Sequence, residues 1–171
     1  MELDVEKLIQ TTWYSGLQTD DIASMLSCVR FSNFTSTESG FKVITEEQGV
    51  STVEFDLNID YGVDGTYRLR ESQKEYFHEG HVKMNGLDSE TVMDMDNFLT
   101  NGNSVYLTDY ENYLTLFICP SNGIADKEHR MIRGFFPSPN PTLSQVAAFI
   151  NALHEIGIFA KFYASTCSEI Y

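Results

Sequence analysis

TVEFDLNIDY, the segment Thr52–Tyr61, alternates apolar and polar residues along its length. Apolar or aromatic side chains occupy the odd positions from 53 to 61, and acidic or amide side chains occupy the even positions from 54 to 60. Successive side chains of a strand point to opposite faces, so this pattern predicts a half-buried antiparallel strand. We expect Phe55, Leu57 and Ile59 to point inward and the acids to face water.

Similar segments on both sides extend the prediction to a sheet. Several of them are followed by turn signals such as Thr37-Glu38-Ser39-Gly40 and Asn85-Gly86. Residues 92–98 are ambiguous between strand and loop. Strands are predicted at 12–18, 28–36, 41–45, 67–70, 76–84, 104–108, 113–119, 128–136 and 158–164.

One helix is well marked near the end of the chain. Thr142 and Gln145 match a capping box, and Gly157 suits the position just after a helix. Between them an apolar stripe follows helical spacing at Val146, Phe149, Ile150 and Leu153. About eight antiparallel strands and one helix predict an all-β fold whose sheet closes into a barrel, because closure removes exposed edges. A barrel of about eight strands is wide enough for one small ligand.

Length and charge exclude several classes of function. The 171 residues suit one domain, 1–171, with a real core. A net charge of −14 repels phosphate backbones, which argues against nucleic-acid binding. No apolar run is long enough for membrane insertion. Met1-Glu2-Leu3-Asp4 does not resemble a signal peptide, so a cytosolic protein and a mature secreted chain both stay open.

Catalytic and metal-binding motifs are not recognisable. His78 and His81 lie three apart near Glu75, a spacing that sends them to opposite faces of a strand and predicts a solvated hairpin. His154 is expected at the surface. Asp94 and its acidic neighbours lack the order of a calcium loop, so no metal site is predicted.

The three cysteines fit no zinc pattern and allow one disulfide with one thiol left over. A catalytic role for Cys119 would need an activating base, and none is identifiable nearby. Asn33-Phe34-Thr35 is a glycosylation sequon that would be used only in a secreted protein.

Three short motifs follow one another along the chain: Thr12-Trp13-Tyr14 on an early strand, Thr108-Asp109-Tyr110 before a late strand, and one helix followed by Cys167. Together these motifs resemble those of lipocalins. The segments 28–34, 39–43 and 157–162 are most similar to arthropod members: crustacyanin subunits, insect bilin-binding proteins and cockroach lipocalin allergens. The resemblance implies an eight-stranded antiparallel up-and-down barrel with the C-terminal helix packed outside.

The resemblance also implies a Cys28–Cys167 disulfide, and leaves Cys119 without its family partner. Where the family stacks an Arg on the first-strand Trp, this chain has Phe135, with Arg133 two residues earlier on the same face. Three alternatives follow. Phe135 packs on Trp13, or Arg133 reaches it as a cation–π partner, or Arg133 points into the cup and meets a polar ligand group.

By the same resemblance the protein is extracellular and transports or sequesters a small hydrophobic ligand, a carotenoid or bilin being favoured as a bound pigment. It requires no other cofactor, is not an enzyme, and could form a homo- or heterodimer. One alternative is a scavenger of biogenic amines or lipid mediators. The outward acids of Thr52–Tyr61 argue against buried carboxylates for an amine, but the stretch 88–98 could still supply acids at the mouth from Asp88, Glu90, Asp94 and Asp96. Another is a lipid-modifying enzyme with Cys119 inside the barrel. The ligand-binding residues implied are Phe41, Val43, Phe55, Leu57, Ile59, Leu114, Leu116, Met131 and Arg133.

Overall fold

The strands form one closed antiparallel barrel in the computed structural model, which describes residues 2–84, 88–119 and 130–171. Eight strands pair in sequence order, and the first closes the ring by pairing with both the second and the eighth. The ninth pairs with the first from outside the ring. The predicted barrel is therefore confirmed. The strands are β1 Trp13–Gln18, β2 Cys28–Thr37, β3 Gly40–Gln48, β4 Thr52–Tyr61, β5 Tyr67–Leu69, β6 Asn103–Thr108, β7 Leu114–Cys119, β8 Met131–Phe136 and β9 Tyr163–Ala164.

The β3–β4 hairpin forms the longest ladder and has an unbroken register from Gly40 opposite Asp60 to Gln48 opposite Thr52. β3 is longer than the predicted 41–45, because its alternation of buried positions continues through Thr45 to Glu47. Two polar side chains thus point into the barrel, and Glu47 is only 5% exposed.

Two helices, α1 Lys74–Lys83 and α2 Ser89–Asn101, join β5 to β6. The strand predicted at 76–84 is therefore wrong, and 92–98 is helical rather than strand or loop. α1 buries Phe77 and His81, four residues apart, on the face that packs on β4. Asp88 caps α2 by accepting a hydrogen bond from the Thr91 backbone N–H. The turn predicted at Asn85-Gly86 lies outside the described residues.

The C-terminal helix α3, Leu143–Glu155, packs outside the barrel as predicted. Its capping box of Thr142 and Gln145 is formed, and Gly157 has the positive φ of 79° that a residue after a helix often needs. Phe149 packs so closely on β8 that a Cβ at Gly134 would lie 2.7 Å from its ring. The final strand is shorter than the predicted 158–164, and the chain ends in a short helix, α4 Cys167–Ile170.

The two ends of the barrel are closed differently. At one end Leu3, Val5 and Leu8 are buried around a 3₁₀ helix, Val5–Lys7, and the Leu3 backbone N–H donates to the Tyr67 hydroxyl at 2.8 Å. The β6–β7 turn lies at this end. The other end, here called the mouth, carries the β1–β2 loop, the β3–β4 turn and the helices α1 and α2. Further 3₁₀ turns are Val63–Gly65 and Glu71–Gln73.

Candidate ligand-binding site

An internal cavity of about 100 Å³ lies inside the barrel, next to the mouth. Its wall is mainly aliphatic and aromatic, with polar side chains on β3, β6 and β8. The lining residues are Leu26, Val29, Phe31, Val43, Thr45, Glu47, Leu57, Ile59, Leu69, Phe77, Leu99, Ser104, Tyr106, Leu116, Ile118, Met131, Arg133 and Phe135.

Six of the nine residues implied by the resemblance line this cavity: Val43, Leu57, Ile59, Leu116, Met131 and Arg133. The other three are buried in the surrounding core instead. Phe41 packs on aromatic rings toward the closed end, Phe55 lies under α1 against Phe77, and Leu114 pairs with Phe135 across β7 and β8.

Arg133 points into the barrel and is only 2% exposed. Its guanidinium donates to the Gln18 side-chain oxygen at 2.9 Å and to the backbone oxygens of Leu26 and Ala23 at 2.8 and 2.7 Å. Burial lowers the pKa of Arg133, and the charges of Asp21 and Glu47 oppose this effect. Arg133 therefore lines the cavity and also ties the β1–β2 loop across the mouth.

Phe135 does not pack on Trp13, which was the first alternative. Phe135 stacks on Phe31, with the ring centroids 4.4 Å apart and the planes 24° from parallel. Trp13 is fully buried, and its indole nitrogen has no hydrogen-bond partner within the described ranges. Of the three arrangements considered for this region, the one with Arg133 pointing into the cup matches the structure.

His81 on α1 joins the barrel to α2 through two carboxylates. One ring nitrogen, Nε2, lies 2.5 Å from Glu47 Oε2 on β3, and Nδ1 lies 2.5 Å from Asp96 Oδ1 on α2. Burial alone would lower the pKa of His81, but the hydrogen bonds and charges of Asp96 and Glu47 raise it from 6.5 to about 9. At neutral pH His81 is therefore an imidazolium that donates from both nitrogens.

The prediction of a solvated hairpin at His78 and His81 is wrong, because the segment is a helix. A spacing of three residues places both side chains on one helix face. His78 Nδ1 reaches the second oxygen of Asp96 at 2.5 Å. Among the described residues, no group of three His, Cys, Asp or Glu side chains is arranged to hold a metal ion.

The helices α1 and α2 pack over part of the mouth. Phe77 of α1 and Leu99 of α2 line the cavity from this side. Gly80 lets α1 approach β4, since a Cβ there would lie 2.2 Å from the Phe55 ring. At the far edge, the Ser51 hydroxyl donates to the Met84 backbone oxygen at 2.8 Å. These contacts border the cavity on the side of the mouth, and local sequence patterns did not indicate them.

The candidate residues Cys28, Asn33, His154 and Cys167 lie away from the cavity. Cys28 and Cys167 form a disulfide, the pairing that the resemblance implied, and tie the C-terminus to β2. Asn33 is exposed with a φ of 54° where the β2–β3 register shifts. The side chain of Cys119 lies outside the described part of the structure, and His154 is exposed on α3. No described helix is long and apolar enough to cross a membrane.

Known structures share this architecture. No protein-family model and no curated protein matches the chain. Lobster apocrustacyanin A1 is 14% identical with a TM-score of 0.62, covering 95% of this chain and 78% of that one. The cockroach allergen Per a 4 is 13% identical with a TM-score of 0.61, covering 98% and 92%. The siderocalin Ex-FABP, which functions through dual ligand specificities, is 14% identical with a TM-score of 0.52, covering 88% and 87%. At these identities the similarity shows the fold, and the predicted lipocalin fold is confirmed.

Proposed function

We propose that this protein binds, and carries or sequesters, a small and mainly apolar molecule in the cavity of its barrel. The observation that carries the proposal is the apolar wall of the cavity with a few polar groups among it, the usual composition of a small-molecule site. The dual ligand specificities of the siderocalin Ex-FABP, on the same fold, add support by analogy. We propose no catalytic step.

The volume of the cavity bears on the kind of ligand. An engineered cavity of about 150 Å³ holds benzene, whereas the cavity here is about 100 Å³. A carotenoid or bilin is much larger than benzene, so a bound pigment would require the cavity to widen. A compact molecule needs no such change, and we favour one as the occupant of the cavity.

Binding of xenon tests whether the cavity accepts an apolar guest, because xenon is a small apolar atom that enters dry cavities. We expect xenon to shift the methyl NMR signals of Leu57 and Leu116, which line the cavity. The methyl signals of Leu153, a buried residue of α3, should not change. A Leu57→Phe variant, which fills the space, should lose this response. Equal shifts at all three leucines, or none, would contradict the proposal.

The natural ligand is addressed by solvent extraction of protein purified from its own source, followed by a visible absorption spectrum and mass spectrometry. A visible band that leaves with the extract would support a carotenoid or bilin. It would also mean that the cavity is wider when the pigment is bound. A colourless protein that yields a compact molecule would support the favoured alternative.

An extracellular location is part of the proposal. Its support is the Cys28–Cys167 disulfide, because such bonds persist mainly in oxidising compartments. Mass spectrometry of the natural protein, alkylated before lysis, should recover the two cysteines as one linked peptide pair. Recovery of both as free alkylated thiols would contradict this location.

A further inference from the structure

The polar part of the cavity wall sets the charge that a ligand can carry. It consists of five side chains, of which two, Glu47 and Arg133, are ionisable and buried to more than nine-tenths. The others are neutral hydroxyl groups, on Thr45, Ser104 and Tyr106. Whether the cavity accepts an ion depends on whether either charged group is free to pair with it.

Both charged groups are already engaged. Glu47 accepts a hydrogen bond from the His81 imidazolium at 2.5 Å through Oε2, and Arg133 donates three hydrogen bonds to Gln18 and to the β1–β2 loop. A cationic ligand that replaced His81 on Glu47, or an anionic ligand that drew Arg133 from the loop, would exchange one buried pairing for another. Either exchange leaves a buried charge or backbone oxygen without a partner.

Tyr106 does not add a charge. Burial raises the pKa of its phenol, so the group stays neutral throughout the physiological range. The charged groups of the wall are therefore Glu47 and Arg133, and both are engaged by protein partners.

Thr45 supplies an unsatisfied polar atom in this wall. It points inward from β3, is 2% exposed, and its hydroxyl oxygen has no hydrogen-bond partner among the residues that the structure describes. Its cross-strand neighbours are Phe31 and Phe55, which offer none. A buried hydroxyl without a partner is unfavourable, so a ligand group that pairs with it gains a hydrogen bond at no cost elsewhere in the protein.

We infer that the cavity selects an uncharged, mainly apolar molecule with one hydroxyl or carbonyl group, and that Thr45 is the side chain that binds this group. The inference rests on the proposed function, because it needs the cavity to be a binding site. It makes Thr45 a specificity-determining residue, and it disfavours amines as ligands.

Four probes of matched size test the inference: 1-butanol, n-pentane, butylammonium and butyrate. Each is titrated at pH 7 while the methyl NMR signals of Leu57 and Leu116 are followed. We expect 1-butanol to bind at least tenfold more tightly than either ion. Replacing Thr45 by Val, which keeps the shape and removes the hydroxyl, should weaken 1-butanol binding about threefold to tenfold and leave n-pentane binding unchanged or stronger.

Thr115→Val is the matched control. Thr115 is also fully buried with an unpaired hydroxyl, but it lies on the face of β7 away from the cavity. This variant should leave all four affinities unchanged.

The results separate the inference from the proposed function. Ions that bind as tightly as 1-butanol, or a Thr45→Val change that affects 1-butanol and n-pentane equally, would overturn the inference while the binding function stands. Failure of xenon and of all four probes to shift the cavity signals would overturn both.

Discussion

Replacing His81 by Gln should remove the cation that bridges Glu47 and Asp96 and destabilise the protein in a pH-dependent way. The glutamine is close in size and can hydrogen-bond, but it cannot carry charge. The pKa of His81 rises from 6.5 to about 9 in the folded protein. Each unit of pKa shift corresponds to about 1.4 kcal/mol, so the network contributes about 3 kcal/mol to the free energy of unfolding.

The pH range of this contribution follows from the direction of the shift. Because folding raises the pKa of His81, the stabilisation is complete below about pH 6.5, and it is lost as pH rises through about 9. The wild-type protein should therefore be more stable than the His81→Gln variant by about 3 kcal/mol at pH 6, and this charge-dependent part of the difference should vanish by about pH 10.

Urea unfolding followed by the fluorescence of the buried Trp13 measures both proteins between pH 6 and 10. The matched control is His154→Gln on the exposed surface of α3, which should follow the wild-type pH dependence throughout. NMR titration gives a second reading, since the His81 ring should not change protonation between pH 5 and 8. A His81 titration near pH 6.5, or a variant that shows the wild-type loss of stability between pH 6.5 and 9.5, would refute the reasoning.

Three further changes have defined outcomes. Arg133→Met removes the donors that hold the β1–β2 loop and should destabilise the fold by on the order of 3 kcal/mol. Amide exchange in that loop should become faster, and unchanged exchange would show that Arg133 does not hold the loop. Gly80→Ala places a Cβ against the Phe55 ring and should cost about 1–3 kcal/mol in urea unfolding, partly restored by Phe55→Leu in the same chain. Reduction of Cys28–Cys167, which closes a loop with a sequence separation of 139, should cost about 5 kcal/mol in the chain-entropy model; a reduced protein with an unchanged urea midpoint would show that the crosslink contributes nothing.

The parts of the fold that follow a single strong local pattern could be predicted from sequence. Thr52–Tyr61 alternates without interruption, and the observed strand has the same bounds. The capping box at Thr142 and the stop at Gly157 are equally local, and they place α3 within a residue or two. In these elements the side chains that decide the structure are sequence neighbours.

The helices at the mouth could not be recognised in this way. α1 buries an aromatic ring and a histidine rather than an aliphatic stripe, so its pattern does not resemble that of a surface helix packed on a core. His81 is buried because Glu47, 34 residues away in sequence, and Asp96, 15 residues away, neutralise it. Glu47 itself was the informative residue, since it continues the inward alternation of β3 with a charge that requires a buried partner.

Glu47 lines the cavity and also holds α1 in place, which couples the charge of a ligand to closure of the mouth. An uncharged guest leaves the bond between Glu47 and His81 intact, so it can be enclosed without disturbing the helix. A cation that takes the place of His81 at Glu47 removes one of the hydrogen bonds that hold α1 on the barrel. Amide exchange in Lys74–Lys83 should therefore stay slow when 1-butanol is bound, and should accelerate when butylammonium is forced in at high concentration. Acceleration by both probes would show that α1 opens for any guest, and that Glu47 does not couple the two.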